Sequence, residues 1–268
     1  MIAREGITDK IMVEKVSLAH AGTKVLDAVS LSIGKGSVVT IVGPNGCGKT
    51  TLLKIINNLM QPDLGKVIVD GNSVKSQSPQ SLARILGYVP QGHRVSFPFK
   101  VRDVVMTGRM PYIPAFSSPK RVDLEKTEQA LALTGIGSLA DQPYSKISGG
   151  ERQLVMIARA MVQQPSVLLL DEPTSYLDFK NQIRTLKMIK EISRSRLVTV
   201  VMTLHDPNHA LMYSDDVLLL RKLNGGGKGN VIAYGPPYRV ITPENIREAY
   251  GIEVEIMDVR GRKILMPI

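Results

Sequence analysis

Residues 43–51 read GPNGCGKTT and directly follow the apolar run SVVTIV at 37–42. Glycines at 43, 46 and 48 cost backbone entropy, so this loop must take unusual angles or let a group come very close. The spacing from Gly43 through Pro44, Asn45, Gly46 and Cys47 to Gly48, Lys49 and Thr50 is G-x-x-x-x-G-K-[ST], and the chemistry it suits is the holding of a polyphosphate. Backbone N–H groups of such a loop turn inward as an anion nest, and the start of the helix that follows adds partial positive charge. Lys49 reaches the β- and γ-phosphates, and the Thr50 hydroxyl, with Thr51 beside it, can hold Mg²⁺. A side chain at Gly46 or Gly48 is expected to crowd the phosphates.

A second group of reactive residues lies at VLLLDEP, 167–173. A buried apolar strand ending in Asp171 and Glu172 puts two carboxylates at the strand's C-terminal end, where open α/β sheets bind ligands. Asp171 is expected in the Mg²⁺ shell and Glu172 as a general base for an attacking water. A third stretch, KISGGERQ at 146–153, pairs Ser148 with Glu151 as a capping box at a helix start. Gly149 and Gly150 in the first turn are poor helix formers. Their bare N–H groups suit a second anion-facing surface.

The elements that must position these groups follow from the apolar pattern. Strands are expected at 15–20, 25–33, 37–42, 66–71, 86–90, 167–171, 197–203 and 216–221, and helices from Lys49 to about Leu59, at 123–135, from Gly149, at 180–194 and at 207–213. Apolar strands alternating with helices predict an α/β fold with a parallel sheet. Residues 92–120, broken by prolines, read as irregular, and the mostly helical stretch between Gln91 and Gln164 reads as an insertion. NGGGKGN at 224–230 reads as a turn, Thr242-Pro243 as a helix cap, and 253–267 as a hairpin around RGR.

Composition narrows the class. The 268 residues carry 34 Lys and Arg against 24 Asp and Glu, a net charge of +10 that favours acidic partners such as nucleotides, nucleic acid or an anionic lipid surface. The single cysteine, Cys47, excludes an internal disulfide and suits a reducing compartment. MIAREGITDK at the N-terminus has no apolar core, so no signal peptide is expected. No run approaches the roughly 18 apolar residues that cross a bilayer, so any spanning must be done by another chain.

GPNGCGKT, ISGGE and LLLDEP, in this order and spacing, resemble the ATP-binding subunit of an ABC transporter across about residues 11–235. ISGGE is similar to the family's LSGGQ signature, with Ile147 for leucine and Glu151 for glutamine. The resemblance implies a P-loop NTPase core with a mixed or parallel sheet, an antiparallel β subdomain and an inserted helical subdomain over about 92–164, with 236–268 as a C-terminal packing extension. It implies ATP and Mg²⁺ as cofactors. Gln91 in YVPQ takes the place of the glutamine that senses Mg²⁺ and the nearby water, Asp178 in SYLD that of the D-loop aspartate, and His205 in TLHD that of the histidine on the γ-phosphate. His20, with Val25 nearby, stands where the family usually stacks a tyrosine on adenine. Cys47 fills a variable loop position, and the helix start and Lys49 are expected to lower its pKa.

The resemblance further implies a homodimer that sandwiches two ATPs, each loop facing the Ser148-Gly149-Gly150 surface of the other copy. The partners are a dimeric integral-membrane permease and, indirectly, an extracytoplasmic substrate-binding protein; no nucleic-acid partner is expected, and the chain sits on the cytoplasmic face of the membrane. V-x-x-GR-x-P at 105–111, the acidic helix after it and LADQ before the signature resemble importers of iron–siderophore, haem and cobalamin chelates, with molybdate systems as the alternative cargo class. A non-transport ABC ATPase acting on DNA is the competing reading, opposed by the lack of a long heptad segment or a zinc-like cysteine set. A detached exporter half or a cofactor-assembly ATPase is a third.

Overall fold

The computed structural model describes residues 9–92, 99–223 and 229–268, so the expected leaderless N-terminus and most of the 224–230 turn lie outside the described residues. The chain divides into two compact units, one of Met1–Gln77 with Ile192–Ile268 and one of Ser78–Glu191.

The first unit opens with β1 (Asp9–His20) and β2 (Thr23–Gly34), followed by β3 (Val38–Val42), α1 (Lys49–Ile56), β4 (Leu64–Val69) and β5 (Asn72–Ser73). β1 begins six residues before the 15–20 strand read from sequence. The reason is a pair of bulges at Lys15 (φ 47°) and Ala28 (φ 50°), which break the period-two alternation. Their amides are taken by the hydroxyls of Ser30 and Ser17 at 2.9 and 2.8 Å. α1 stops at Ile56 rather than near Leu59 because Asn57 caps it and Asn58 turns left-handed (φ 57°).

The second unit carries α2 (Pro79–Ile85), β6 (Leu86–Val89), α3 (Val101–Met106) running into a 3₁₀ segment at Thr107–Tyr112, α4 (Arg121–Leu133), α5 (Gly149–Met161), β7 (Val167–Leu170) and the start of α6 (Phe179–Arg196). β6 and β7 pair in parallel, and the Asp171 amide continues the ladder to the Val89 carbonyl at 2.9 Å. Two helical pieces were not expected. α2 follows a Ser78 cap and Pro79 at its first position but spans only seven residues. α3 and the 3₁₀ segment occupy part of the stretch that reads as irregular, because Val101, Val104 and Val105 share a buried face packed against Leu131, Ile136, Tyr144, Leu154 and Val155. Gly108 belongs to that packing: a Cβ there would strike the Arg159 carbonyl of α5. Arg109 next to it is buried, pairs with Asp123 at 2.9 Å, donates to the Val162 carbonyl at 3.1 Å and lies 4.0 Å over the Tyr112 ring. The GR of the 105–111 motif thus has a packing role within its own unit.

The chain re-enters the first unit with β8 (Thr199–Thr203), α7 (Pro207–Tyr213), β9 (Asp216–Leu220), β10 (Val231–Gly235), α8 (Pro237–Val240), α9 (Pro243–Tyr250), β11 (Val254–Val259) and β12 (Arg262–Pro267). β8 starts two residues later than the apolar run suggests, since Leu197 is left-handed (φ 53°) and exposed. Within this unit β2-β1-β4-β5 form an antiparallel sheet, while β3 lies between β8 and β9, parallel to both, with β10 antiparallel on β9. β3, β8 and β9 are buried at every residue, as a strand covered on both faces must be. Thr242 caps α9 with Pro243 at its first position, and β11–β12 is the hairpin read from RGR, turning at Arg260 and Gly261.

Candidate functional site

In the first unit, β3 delivers the chain into the glycine loop. Gly43, Gly46 and Gly48 take φ of 151°, 79° and 101°. At Gly43 a Cβ would strike the Leu220 carbonyl and come within 2.8 Å of the Cys47 sulfur. At Gly48 it would meet Leu26 at 2.7 Å and the Val25 carbonyl at 3.1 Å. Protein therefore crowds position 48 in its own right, a second demand for glycine beside the expected approach of the phosphates. Gly46 faces open space on the protein side, and its backbone angle of 79° favours glycine. Lys49, 6% exposed, donates its ammonium to the Gly43 carbonyl at 2.7 Å and the Pro44 carbonyl at 3.2 Å. Asn45 and Gly46 are exposed, and Pro44, Thr50 and Thr51 half-buried. The loop is thus a glycine-shaped cradle with a cation folded into it.

Cys47 departs from expectation. Its thiol is 1% exposed, and burial pushes its pKa up despite the pull of the Lys49 charge. Residues beyond the loop hold it in place. Asn230, fully buried, donates to the Val25 carbonyl at 3.0 Å and the Cys47 carbonyl at 3.2 Å and accepts from the Asp27 amide at 3.1 Å. Tyr250 of α9 buries its hydroxyl; burial, then the neighbouring Cys47, push its pKa up, and the Gly43 amide opposes this. Sequence reading passed over both. His20 is exposed at the end of β1, paired with Thr23. His205 is exposed between β8 and α7, next to Asp206, which caps α7 through the Asn208 amide at 2.8 Å.

The second unit gathers the acidic residues. Asp171 is 2% and Glu172 8% exposed. Glu172 sits in the left-handed region (φ 50°), a conformation that costs a non-glycine residue energy and concentrates at functional positions. Its Oε2 accepts from the Gln91 side-chain amide and from the Ser175 hydroxyl at 2.7 Å. This joins two of the residues singled out from sequence, 81 positions apart. Burial, and then the Asp171 charge, push the Tyr88 hydroxyl up to about 12.

Ser148 caps α5 in the reciprocal box. Its hydroxyl accepts from the Glu151 amide at 3.3 Å, and the Glu151 carboxylate accepts from the Ser148 amide and hydroxyl, both at 2.8 Å. These bonds, the Ser148 amide first, hold the Glu151 carboxyl below its ordinary range. Gly150 lets the start of α6 approach: a Cβ would come within 3.1 Å of the Asn181 amide. Asp178 fixes that asparagine, accepting from its backbone and side-chain amides at 2.8 and 3.1 Å. Gly149 meets only the Tyr176 carbonyl, at 3.9 Å.

Among the described residues no group of three or more His, Cys, Asp or Glu forms a metal cluster. Mg²⁺ takes few protein carboxylates and completes its shell with water and substrate phosphates. The Asp171 carboxylate, the Thr50 hydroxyl and the Gln91 side-chain carbonyl are hard oxygen donors of the right kind.

The ABC transporter family model matches residues 26–175, just over half of the chain. An uncharacterized ABC transporter ATP-binding protein of Methanocaldococcus jannaschii is 39% identical over 258 residues, covering 96% of this chain and 98% of the relative. The ferric enterobactin transport ATP-binding protein FepC of Escherichia coli is 34% identical over 257 residues, covering 95% and 93%. A solved metal-chelate type ABC transporter in an inward-facing conformation superposes with a TM-score of 0.83 at 30% identity, covering 97% of each chain. A dimeric ATP-binding cassette in a post-hydrolysis state with ADP and phosphate superposes with a TM-score of 0.71 at 25% identity, covering 85% of this chain and 98% of the other.

Proposed function

The chain belongs to the ABC transporter family of ATP-binding proteins, and on that premise we propose that it drives import of a metal chelate, of iron–siderophore, haem or corrinoid type, through a separate membrane permease. It binds and hydrolyses ATP, the chemistry of its family. The observation that carries this reading is the buried Lys49 ammonium held on the Gly43 and Pro44 carbonyls inside a left-handed glycine loop. Phosphate oxygens exchange for those carbonyls when nucleotide enters. The cargo class rests on likeness to an enterobactin-transport protein and a metal-chelate transporter along nearly the whole chain.

Residues 11–235 act as the ATPase domain, about 92–164 as its helical insertion and 236–268 as an appended segment. Two copies close on two ATPs, each loop facing the Ser148-led helix of its twin, an arrangement supported by the dimeric ADP-bound relative. Glu172 takes a proton from water as its oxygen attacks the γ-phosphorus and the bond to the ADP oxygen breaks. Gln91 and Ser175 hold that carboxylate in place. Mg²⁺ held by Thr50, Asp171 and Gln91 would neutralise charge on the phosphates. His205 contacts the γ-phosphate, and His20 and Val25 lie against the base. No helix among the described residues is long and apolar enough to cross a membrane. By likeness to relatives named for transport and import, the chain works on the cytoplasmic face, against a permease dimer served by an extracytoplasmic binding protein.

The test is the ATPase rate of the purified chain in three settings: alone, with DNA, and with candidate permeases in anionic vesicles supplied with a binding protein loaded with ferric siderophore, haem or cobalamin. Stimulation by one loaded binding protein is expected. Stimulation by DNA with no response to any permease would overturn the transport reading.

A further inference from the structure

We propose that Asn230 is a positioning residue for nucleotide binding: by holding the Cys47 carbonyl it aims the Gly48 amide into the phosphate cradle. The inference rests on the reading that residues 43–51 hold the nucleotide's phosphates. Asn230 lies well beyond the segment that the family model matches, at the entry to β10. It is fully buried, and its side chain spends both halves of its amide on distant backbone. Nδ2 has two hydrogens, one for the Val25 carbonyl and one for the Cys47 carbonyl, and Oδ1 takes the Asp27 amide. Its own carbonyl accepts the Arg221 amide of the neighbouring strand at 2.9 Å, so the donor is anchored from behind.

The consequence follows from peptide planarity. The Cys47 carbonyl and the Gly48 amide belong to one trans peptide unit and point in opposite directions. With the carbonyl turned toward Asn230, the Gly48 N–H faces away from it, into the loop. Glycine at 48, at φ 101°, makes that unit easy to flip, so its direction needs an external anchor. The same asparagine fixes the Val25 carbonyl, which lies within 3.1 Å of where a Gly48 Cβ would be. One side chain thereby ties the first strands, the phosphate loop and the β9–β10 connection at a single point.

The test uses the full chain. Because Cys47 is the only cysteine, ¹³C-carbonyl cysteine with ¹⁵N-glycine labelling gives one carbonyl-correlated amide signal, that of Gly48. In the unsubstituted protein this signal shifts when ATP is added. Asn230→Ala should weaken ATP binding about ten-fold, the scale of one mis-aimed buried donor, and shrink the Gly48 shift. Asn230→Asp, which faces the two carbonyls with a second acceptor, should lose more. Asn230→Ser, with one hydroxyl donor and little bulk, should fall between wild type and alanine and remains informative if the harsher variants fail to fold. Binding within about two-fold of wild type and an unchanged Gly48 shift in every folded variant would overturn the proposal. Failure of the unsubstituted chain to move the Gly48 signal with ATP would instead overturn the phosphate-cradle reading.

Discussion

Glu172→Gln separates the catalytic role of this residue from its structural one. Oε2 of Glu172 accepts from Gln91 and Ser175. A glutamine keeps one acceptor oxygen, which Ser175 can still use. Gln91 donates to that same oxygen position, so both bonds survive with a neutral acceptor, weaker than a carboxylate one. The left-handed backbone at 172 is unaffected by the change. The cost to folding is therefore on the order of 1 kcal/mol, the net worth of one altered hydrogen bond. Loss of a general base is much larger, about 10²–10⁴ in turnover, or roughly 3–5 kcal/mol on the barrier at 1.36 kcal/mol per decade. Phosphate release, fluorescent-nucleotide binding and urea denaturation, measured on the same preparation, resolve the two. The expected result is turnover down by at least a hundred-fold with nucleotide affinity and unfolding midpoint nearly unchanged. Turnover within about ten-fold of wild type, at normal affinity, would remove Glu172 from the base role.

Three further outcomes are expected. Asp123→Ala leaves the buried Arg109 guanidinium without its carboxylate, a change worth about 3–5 kcal/mol in buried pairs, with the lower end expected because the Val162 carbonyl and the Tyr112 ring remain; a urea-derived loss below about 1 kcal/mol would refute the packing role of GR in the 105–111 motif. The Asp123 carboxyl is held low: burial opposes this, and the Lys120 amide and Arg109 outweigh it. A depressed folded-state pKa means stability that is present above the unfolded value near 3.8 and lost as pH falls through the folded one, so the mutant's deficit should shrink below pH 3.8. Cys47, buried and with its pKa raised, should react with a thiol reagent at pH 8 on the order of a hundred-fold more slowly in the native chain than in urea; immediate native labelling would contradict the burial. His20→Tyr should tighten ATP binding a few-fold, since a larger ring stacks with about 0.5–1.5 kcal/mol, and an unchanged dissociation constant would dismiss His20 as a base-stacking residue.

What could be read from the chain depended on whether the signal was local. The glycine loop, the strand before it and the S-x-x-E cap carry their physics within a few residues: β-branched burial at 38–42, left-handed glycines, a reciprocal hydrogen bond three positions apart. Short helices were lost, because seven residues at 79–85 and six at 101–106 offer too few turns for a helical period to stand out beside proline and glycine. Partnerships were the other loss. Gln91 and Glu172 were each singled out, yet nothing in either neighbourhood says that one amide meets the other carboxylate. Asn230 is the extreme case. Its partners are backbone carbonyls 205 and 183 residues away, and every residue has a carbonyl, so no pattern of side chains could mark them. After a glycine-rich run an asparagine reads as turn chemistry. Only the fold turns it inward, and only there does its amide acquire two acceptors and a loop to hold. Side chains that recognise main chain at long range escape sequence reading for this reason, while those that cap a helix three residues away do not.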